Sequence, residues 1–339
     1  MNICFVMYPW EKVMPETDST LRLIHQSVLN GHNVALISSN NLTIRDCNAF
    51  GFCKLFLKTE STSSSIISFY KKAKFKDKLL PLGGFDVIFI RTNPPLDSWL
   101  LSFLDSVQDD TIIINSVTGL RKANSKIYTA GFDESIIPET HVSKNKDYLK
   151  RIIDESDSER MILKPLDGFG GQGVIIIEKS ATDNINSLLD FYINARGTSH
   201  YVILQEYLDD AKNGDVRVLM LNGEPIGAMR RVPGLNEFRS NIHAGGTEMK
   251  HTLTKTEIKL CRSIGKKLVR DGLYFVGLDI IDNKLLEVNV CSPGGISRIN
   301  KLNKTNLQKL VLQFAEDIVV QKEKNISHKI SLRKKVDNA

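Results

Sequence analysis

The chain has 339 residues, 42% of them hydrophobic and 25% charged, which exceeds one typical domain and excludes both a small binding module and disorder throughout. Its net charge of +6 gathers in two stretches, Lys71 to Lys78 and Lys322 to Lys335, that read as solvated surface. The balance therefore points away from nucleic acid and suits an anionic small-molecule substrate. No stretch approaches the roughly 18 consecutive apolar residues of a membrane span, and the first residues carry no basic segment before their short apolar run. Five scattered cysteines (Cys4, Cys47, Cys53, Cys261 and Cys291) form no C-x-x-C pair. They argue for reduced thiols in a cytoplasmic setting and against a disulfide framework or a zinc site.

Asn2 to Met7 is a buried-strand run. Asp18 or Ser19 can cap a helix whose Leu21, Ile24, Val28 and Leu29 share one face and which Gly31 stops. Asn33 to Ser38 returns as a strand, so the chain opens β-α-β and implies a parallel sheet. The Ser- and Lys-rich segment from Lys58 to Leu80 is expected to be an exposed helix with flanking loops. Asp86 to Arg91 is a strand running into Pro94-Pro95, and ligands of open α/β sheets gather at such strand ends. Thr111 to Asn115 is a further strand, and the first domain closes near residue 120. Met161 to Pro165, the glycine-rich run Asp167 to Gly173 and Val174 to Ile177 form an antiparallel hairpin, where a dinucleotide fold would place a helix after the glycines. Val202 to Glu206 is another strand, and Val216–Leu221 and Pro225–Arg231 pair around Asn222-Gly223. A helix through Leu260, Ile264 and Leu268 ends at Asp271-Gly272. Phe275–Ile281 and Lys284–Val290 are a last strand pair joined at Asp282-Asn283, and the polar tail after about Val320 is expected to fray.

Three groups of residues carry chemistry. Gly168, Gly170, Gly171 and Gly173 can adopt backbone conformations that bring amide N–H groups close to phosphate oxygens. Lys164, inside the apolar strand before them, is costly to bury unless its ammonium meets an anion such as an ATP phosphate. Asp279, Glu287 and Asn289 lie in otherwise apolar strands. Glu287 and Asn289 share a face. A three-residue loop would place Asp279 opposite Glu287 on that face, and a two-residue turn would place it on the other. Together these two carboxylates and an amide oxygen are hard ligands suited to magnesium on nucleotide phosphates. Arg217 and Arg239 suit a carboxylate or the charge developing on a phosphoryl group. His25 and His243 read as structural, and Cys291 has no activating partner.

These motifs resemble, in order and spacing, a known family. Lys164-Pro165-Leu166-Asp167-Gly168-x-Gly170-Gly171, Gly214-Asp215-x-Arg217-Val218, Arg239-x-Asn241-x-x-Ala244-Gly245-Gly246, Phe275-Val276-Gly277-Leu278-Asp279-Ile280-Ile281 and Glu287-Val288-Asn289-Val290-x-Ser292-Pro293 look like the bacterial glutathione synthetases of the ATP-grasp superfamily. The similarity runs from the first strand to about residue 300 and is densest between Lys164 and Pro293. It implies an α/β N-terminal parallel-sheet domain (1–120) followed by α+β ATP-grasp lobes with antiparallel sheets (121–206 and 207–320) and a basic tail (321–339).

On that resemblance Lys126, Lys164, Gly168, Gly170, Gly171 and Asp215 would bind ATP, and Gln205, Glu206, Tyr207 and Leu208 would be the hinge that contacts adenine. Asp279, Glu287 and Asn289 would hold Mg2+, or Mn2+ in its place. Arg217 and Arg239 would be catalytic, and Arg91, Asn241, Ser292, Gly294 and Gly295 would line the substrate. Val232 to Gly246 would be a mobile lid. The implied activity is an ATP-dependent ligase that joins γ-glutamylcysteine to glycine through an acyl phosphate. The implied setting is a cytoplasmic homo-oligomer with small-molecule partners only, neither nucleic acid nor membrane.

The chain departs from the family in three places. Arg91-Thr92-Asn93-Pro94-Pro95 stands for Arg-Lys-Asp-Pro-Pro, Met7-Tyr8-Pro9 for Met-Asp-Pro, and Gly294-Gly295-Ile296 for a Thr followed by Gly or Cys. These changes fall where the acceptor would bind, so the expectation is intact ATP machinery beside an acceptor pocket with room for an amine bulkier than glycine. The alternatives are a related ATP-grasp peptide ligase with a different acyl or amine substrate, a catalytically inactive ATP-binding regulatory protein, and a kinase on the same scaffold.

Overall fold

The computed structural model describes residues 1–57, 62–166, 168, 170–194, 197–234 and 245–338. They form two compact units, Met1–Arg121 with Gly272–Phe275 and Cys291–Ala339, and Lys122–Asp271 with Val276–Val290.

In the first unit, strands β1 (Asn2–Met7), β2 (Asn33–Ile37), β3 (Leu42–Arg45), β4 (Asn48–Phe56), β5 (Phe75–Pro81), β6 (Val87–Arg91) and β7 (Ile112–Ile114) build one sheet. Its order is β3-β4-β2-β1-β6-β7, with β5 on β4. The expected parallel pairing holds for β2, β1, β6 and β7. The β2–β4, β3–β4 and β4–β5 pairs are antiparallel, so the sheet is mixed. Asp18 caps α1 (Ser19–Leu29) by accepting from the Leu21 amide at 2.7 Å. The segment expected to be one exposed helix splits into a short helix, α2 (Ile66–Lys72), and the strand β5. Lys76 and Lys78 lie on that strand, which among the described residues pairs only with β4. Lysines on an edge strand keep it from pairing further, and they mimic a solvated helix in sequence. Helices α3 (Ser98–Asp105) and α4 (Val117–Ala123) follow.

The second unit holds two antiparallel layers. The first sheet has the order β10-β9-β11-β8, from β8 (Thr140–Ser143), β9 (Arg160–Pro165), β10 (Ile175–Glu178) and β11 (Val202–Glu206). Helices α5 (Lys146–Glu155) and α6 (Thr182–Ile193) cover it, and Leu149, Ile153, Leu163, Ile177, Leu189 and Leu204 share its core. The second sheet runs β14-β13-β12-β15-β16, from β12 (Asp215–Leu221), β13 (Glu224–Val232), β14 (Thr247–Lys250), β15 (Phe275–Ile281) and β16 (Lys284–Asn289). Its helix, α7 (Lys255–Arg270), starts on a capping box made by Thr254 and Glu257 and buries Leu260, Cys261, Ile264 and Leu268. At Gly265 a side chain is impossible, because a Cβ would lie 2.1 Å from the Gly223 carbonyl oxygen of the β12–β13 turn.

The chain then returns to the first unit with α8 (Ile296–Asn303) and α9 (Leu307–Asp337). Here the structure differs from the expected frayed tail, since α9 continues as helix to Asp337. No Gly or Pro occurs after Gly295, and Lys, Glu, Gln and Leu are good helix formers, so nothing breaks the run. Its first half buries Leu307, Val311, Leu312, Ala315 and Val319. No helix among the described residues is long and apolar enough to cross a membrane.

Candidate active site

The β15–β16 hairpin resolves the register that the sequence leaves open. Its turn is the two-residue kind, with Asp282 and Asn283 at φ 46° and 57° and Ile281 facing Lys284. A bulge then follows, because Ile280 pairs Leu285 while Asp279 pairs Glu287, which leaves Leu286 as the extra residue. The bulge restores the shared face that the two-residue turn alone would have removed. Asp279 and Glu287 are thus direct cross-strand neighbours, and the Asn289 side-chain amide donates to Asp279 Oδ2 at 3.2 Å.

Asp279 is buried and already has cations. Arg217, from β12, donates from Nε to Oδ1 at 2.5 Å and from Nη2 to Oδ2 at 2.9 Å. Arg231, from β13, reaches Asp279 Oδ1 at 2.9 Å. Burial alone would raise the Asp279 pKa, but Arg217 and then Arg231 outweigh it and hold the carboxyl at about 2. Arg231 also grips Asp215, its direct partner in the β12–β13 register, with Nε on Oδ1 at 2.8 Å and Nη2 on Oδ2. Burial works against the Arg231 charge, yet Asp279 and Asp215 together raise its pKa above the ordinary arginine value. Sequence reasoning missed Arg231. The available signal was strand alternation, which turns Arg231 inward on the face of Asp215 and Arg217 and leaves Arg230 on the other.

Among the described residues, the neighbouring charges have no such ion pair. Lys164, on β9, donates to Gln205 Oε1 at 2.8 Å, and Gln205 donates onward to Thr140 Oγ1 at 2.7 Å. Burial pushes the Lys164 ammonium down to about 8, with Glu287 opposing and Lys126 adding to the shift. Glu287 moves the other way. Burial and then the adjacent Asp279 charge raise its pKa, against the pull of Lys126, Lys164 and Arg217.

Above them lies the glycine run, with Gly170, Gly171 and Gly173 at φ 63°, 78° and 68°, where only glycine is unstrained. At Gly168 a Cβ would sit 2.8 Å from Pro165 Cγ. The Lys126 ammonium donates to the Gly168 carbonyl and, at 3.4 Å, to that of Pro165.

Lys126, Lys164, Gly168, Gly170, Gly171, Gln205, Glu206, Tyr207, Leu208, Asp215, Arg231, Asp279 and Glu287 line one cavity of the second unit. Arg217 and Asn289 stand beside Asp279. Arg239, Asn241, His243 and most of the expected lid (235–244) lie outside the described residues, as does Asp167.

The remaining expected substrate residues belong to the first unit. Arg91, 2% exposed, donates from Nε to Thr20 Oγ1 at 3.0 Å and from Nη2 to the Pro293 carbonyl at 3.1 Å. Its Nη1 is buried with no hydrogen-bond partner among the described residues. Burial pushes its pKa down to about 10, against Tyr8 and Asp18. Ser19 Oγ accepts from the Gly295 and Ile296 amides, both at 3.1 Å. Gly295 has φ 119°, and a Cβ on Gly294 would meet nothing within 4 Å. The structure thus joins Arg91 to the Pro293–Gly295 segment, with Ser292 half-buried beside it.

The donor set of the hairpin fits a magnesium ion. Mg2+ takes one or two carboxylates and completes its shell with water and phosphate oxygens. Asp279, Glu287 and the Asn289 carboxamide supply such oxygens, and Asp279 and Glu287 lie directly opposite each other in the hairpin. No cluster of three His, Cys, Asp or Glu side chains suited to a metal occurs among the described residues.

Antiparallel lobes around a lysine- and glycine-lined cavity, beside a carboxylate hairpin, define an ATP-grasp ligase. The same fold is found in D-cycloserine synthetase DcsG (TM-score 0.62, 13% identity, 94% of this chain and 99% of that one). It also occurs in a RimK domain ATP-grasp protein from Sphaerobacter thermophilus (TM-score 0.58, 13% identity, 93% and 99%). Residues 1–121 match the N-terminal domain of prokaryotic glutathione synthetase, and residues 125–304 match its ATP-grasp domain. The glutathione synthetases of Nostoc sp. and Gloeobacter violaceus are each 33% identical over 93% of this chain, covering 98% and 96% of their own lengths. The chain belongs to the prokaryotic glutathione synthetase family, which makes it an ATP-dependent ligase that forms C–N bonds.

Proposed function

We propose that the protein makes glutathione, joining the C-terminal carboxylate of γ-glutamylcysteine to the amine of glycine at the expense of ATP. The carboxylate oxygen attacks the γ-phosphorus, ADP leaves, and an acyl phosphate forms. The glycine nitrogen then attacks the acyl carbon, phosphate leaves, and the amine proton is lost to solvent.

Lys126 and Lys164 take phosphate oxygens, with the amides of the Gly168–Gly171 segment beside them, and the Gln205–Leu208 strand end takes the adenine. Arg217 and Arg231 face the charge that develops on the transferred phosphoryl group, and Asp279 and Asp215 fix their guanidinium planes before substrate arrives. Asp215 is therefore better read as a positioning residue than as a direct ATP contact. The family resemblance adds Arg239 and Asn241 to this array. Asp279, Glu287 and Asn289 would hold magnesium, which would supply neutralisation of phosphate charge. Arg91, Ser292, Gly294 and Gly295 contribute to the acceptor side, and the resemblance further implies a cytoplasmic homo-oligomer.

The observation that carries this reading is the cavity that gathers Lys126, Lys164, the glycine run and the Asp279/Glu287 hairpin. The departure from the family pattern at Gly294-Gly295-Ile296 favours a second reading, an amine bulkier than glycine. The test is ADP release from ATP, Mg2+, γ-glutamylcysteine and a panel of amino acids, with each product weighed by mass spectrometry. Glutathione as the main product supports the proposal. A bulkier amide product favours the second reading, a stable phosphopeptide points to a kinase, and no ADP release with any pair contradicts all three.

A further inference from the structure

Asp271 sits where a carboxylate is out of place. It is the C-cap of α7, at the end of the helix dipole that repels negative charge, and it is 8% exposed. Three donors offset that cost. Lys267 Nζ, one turn back in the helix, lies 2.9 Å from Oδ2. The Tyr128 hydroxyl donates to Oδ2 at 2.8 Å, and Lys122 Nζ to Oδ1 at 3.1 Å. The two donors from outside the helix bracket one residue in sequence, for Lys122 and Tyr128 stand on either side of Lys126.

The packing around this carboxylate tightens the same turn. Lys126 to Gly131 is a 3-10 helix, and the Lys267 ammonium lies 4.8 Å from the Tyr128 ring centre and 5.7 Å from that of Phe132. Gly131 lets the lysine stem pass, since a Cβ there would be 3.1 Å from Lys267 Cε. Lys122 is half-exposed, so its share is the smallest. The hydrogen bond from Tyr128 and the part-buried ion pair with Lys267 are the stronger ties.

We infer that Asp271 is a positioning residue for nucleotide binding: through Tyr128 and Lys122 it fixes the turn that presents Lys126 to the cavity. The inference rests on Lys126 being a phosphate-binding lysine, as proposed above. A lysine has many rotamers, and its affinity for phosphate depends on how few remain open in the free protein. Anchoring Lys122 and Tyr128 to one helix end fixes where the Lys126 backbone sits, which narrows the positions its ammonium can reach before ADP or ATP arrives.

The test measures the Kd of Mg-ADP by calorimetry, and the KM values of ATP and γ-glutamylcysteine, for Asp271→Asn, Tyr128→Phe, Lys126→Ala and the double variants. Asp271→Asn should weaken Mg-ADP about tenfold, the scale of one lost hydrogen bond to a charged group. The peptide KM should stay unchanged. In the Lys126→Ala background the same substitution should add nothing. A loss of thermal stability with an unchanged Mg-ADP Kd overturns the inference, as does an effect that adds fully to that of Lys126→Ala. Should Asp271→Asn fail to fold, Tyr128→Phe carries the test, with a smaller loss of the same pattern and faster amide exchange over residues 126–131. If Lys126→Ala itself leaves nucleotide affinity intact, the reading of Lys126 falls and the inference with it; an effect of Lys126→Ala with none from Asp271→Asn or Tyr128→Phe removes the inference alone.

Discussion

Asp279 and Glu287 face each other across one hairpin, yet their environments drive them apart. Asp279 carries two arginines and is held at about 2, whereas Glu287 is raised by burial and by Asp279 itself. Lys164 mirrors Glu287, being depressed to about 8 in the free protein. Among the described residues, one half of the site pairs a buried carboxylate with two arginines, and the other half holds the half-buried Lys164 and Glu287 without such an ion pair. Burying a charge without a partner costs stability, and Lys164 and Glu287 are the residues proposed above to meet phosphate and, with Asp279 and Asn289, the cation.

The contrast can be broken at its functional end first. Glu287→Gln should cut turnover on the order of 10²–10³-fold, the usual effect of removing one preorganised charge contact in a reacting site. Near-normal turnover at low magnesium would remove the hairpin as the metal site. Lys164→Ala should weaken Mg-ATP binding by roughly tenfold to a hundredfold and leave peptide affinity unchanged. Lost peptide affinity with intact ATP affinity would contradict it.

A smaller effect sharpens the compensated half. Asp279 and Asp271 both have folded pKa values of about 2, below the 3.8 of a free aspartate. Their folded pKa values are depressed, so the stability they contribute is complete above about pH 4 and is lost as pH falls through about 2. Urea midpoints followed from pH 5 to pH 2 should fall, and Asp271→Asn should flatten part of that slope. An equally steep fall in the variant would assign the acid sensitivity elsewhere.

Much of this site was legible because its strands are short and strongly patterned. Lys164, Asp279 and Glu287 stand out as charges in apolar runs, and the Asn222-Gly223 and Asp282-Asn283 turns announce their hairpins. The register of the last hairpin was not legible, because the bulge at Leu286 has no marker in the sequence and is set by how β15 and β16 pack. Arg231 was hidden beside Arg230, since a charge pair on a strand looks solvated until one knows which face is buried. The antiparallel edge of the first sheet was lost for the same reason, as lysines on β5 resemble a solvated helix. The Tyr128–Asp271 tie joins residues far apart in sequence, and no local pattern announces it.

The most direct measurement is urea unfolding of ligand-free Asp279→Asn and Glu287→Gln at pH 7. Asp279→Asn strips a buried ion pair from Arg217 and Arg231 and should lose about 3–5 kcal/mol. Glu287→Gln removes a half-buried charge that has no arginine ion pair among the described residues, and it should leave stability unchanged or higher. Equal losses in the two variants would contradict the account, because they would mean that Glu287 is as well compensated in the free protein as Asp279.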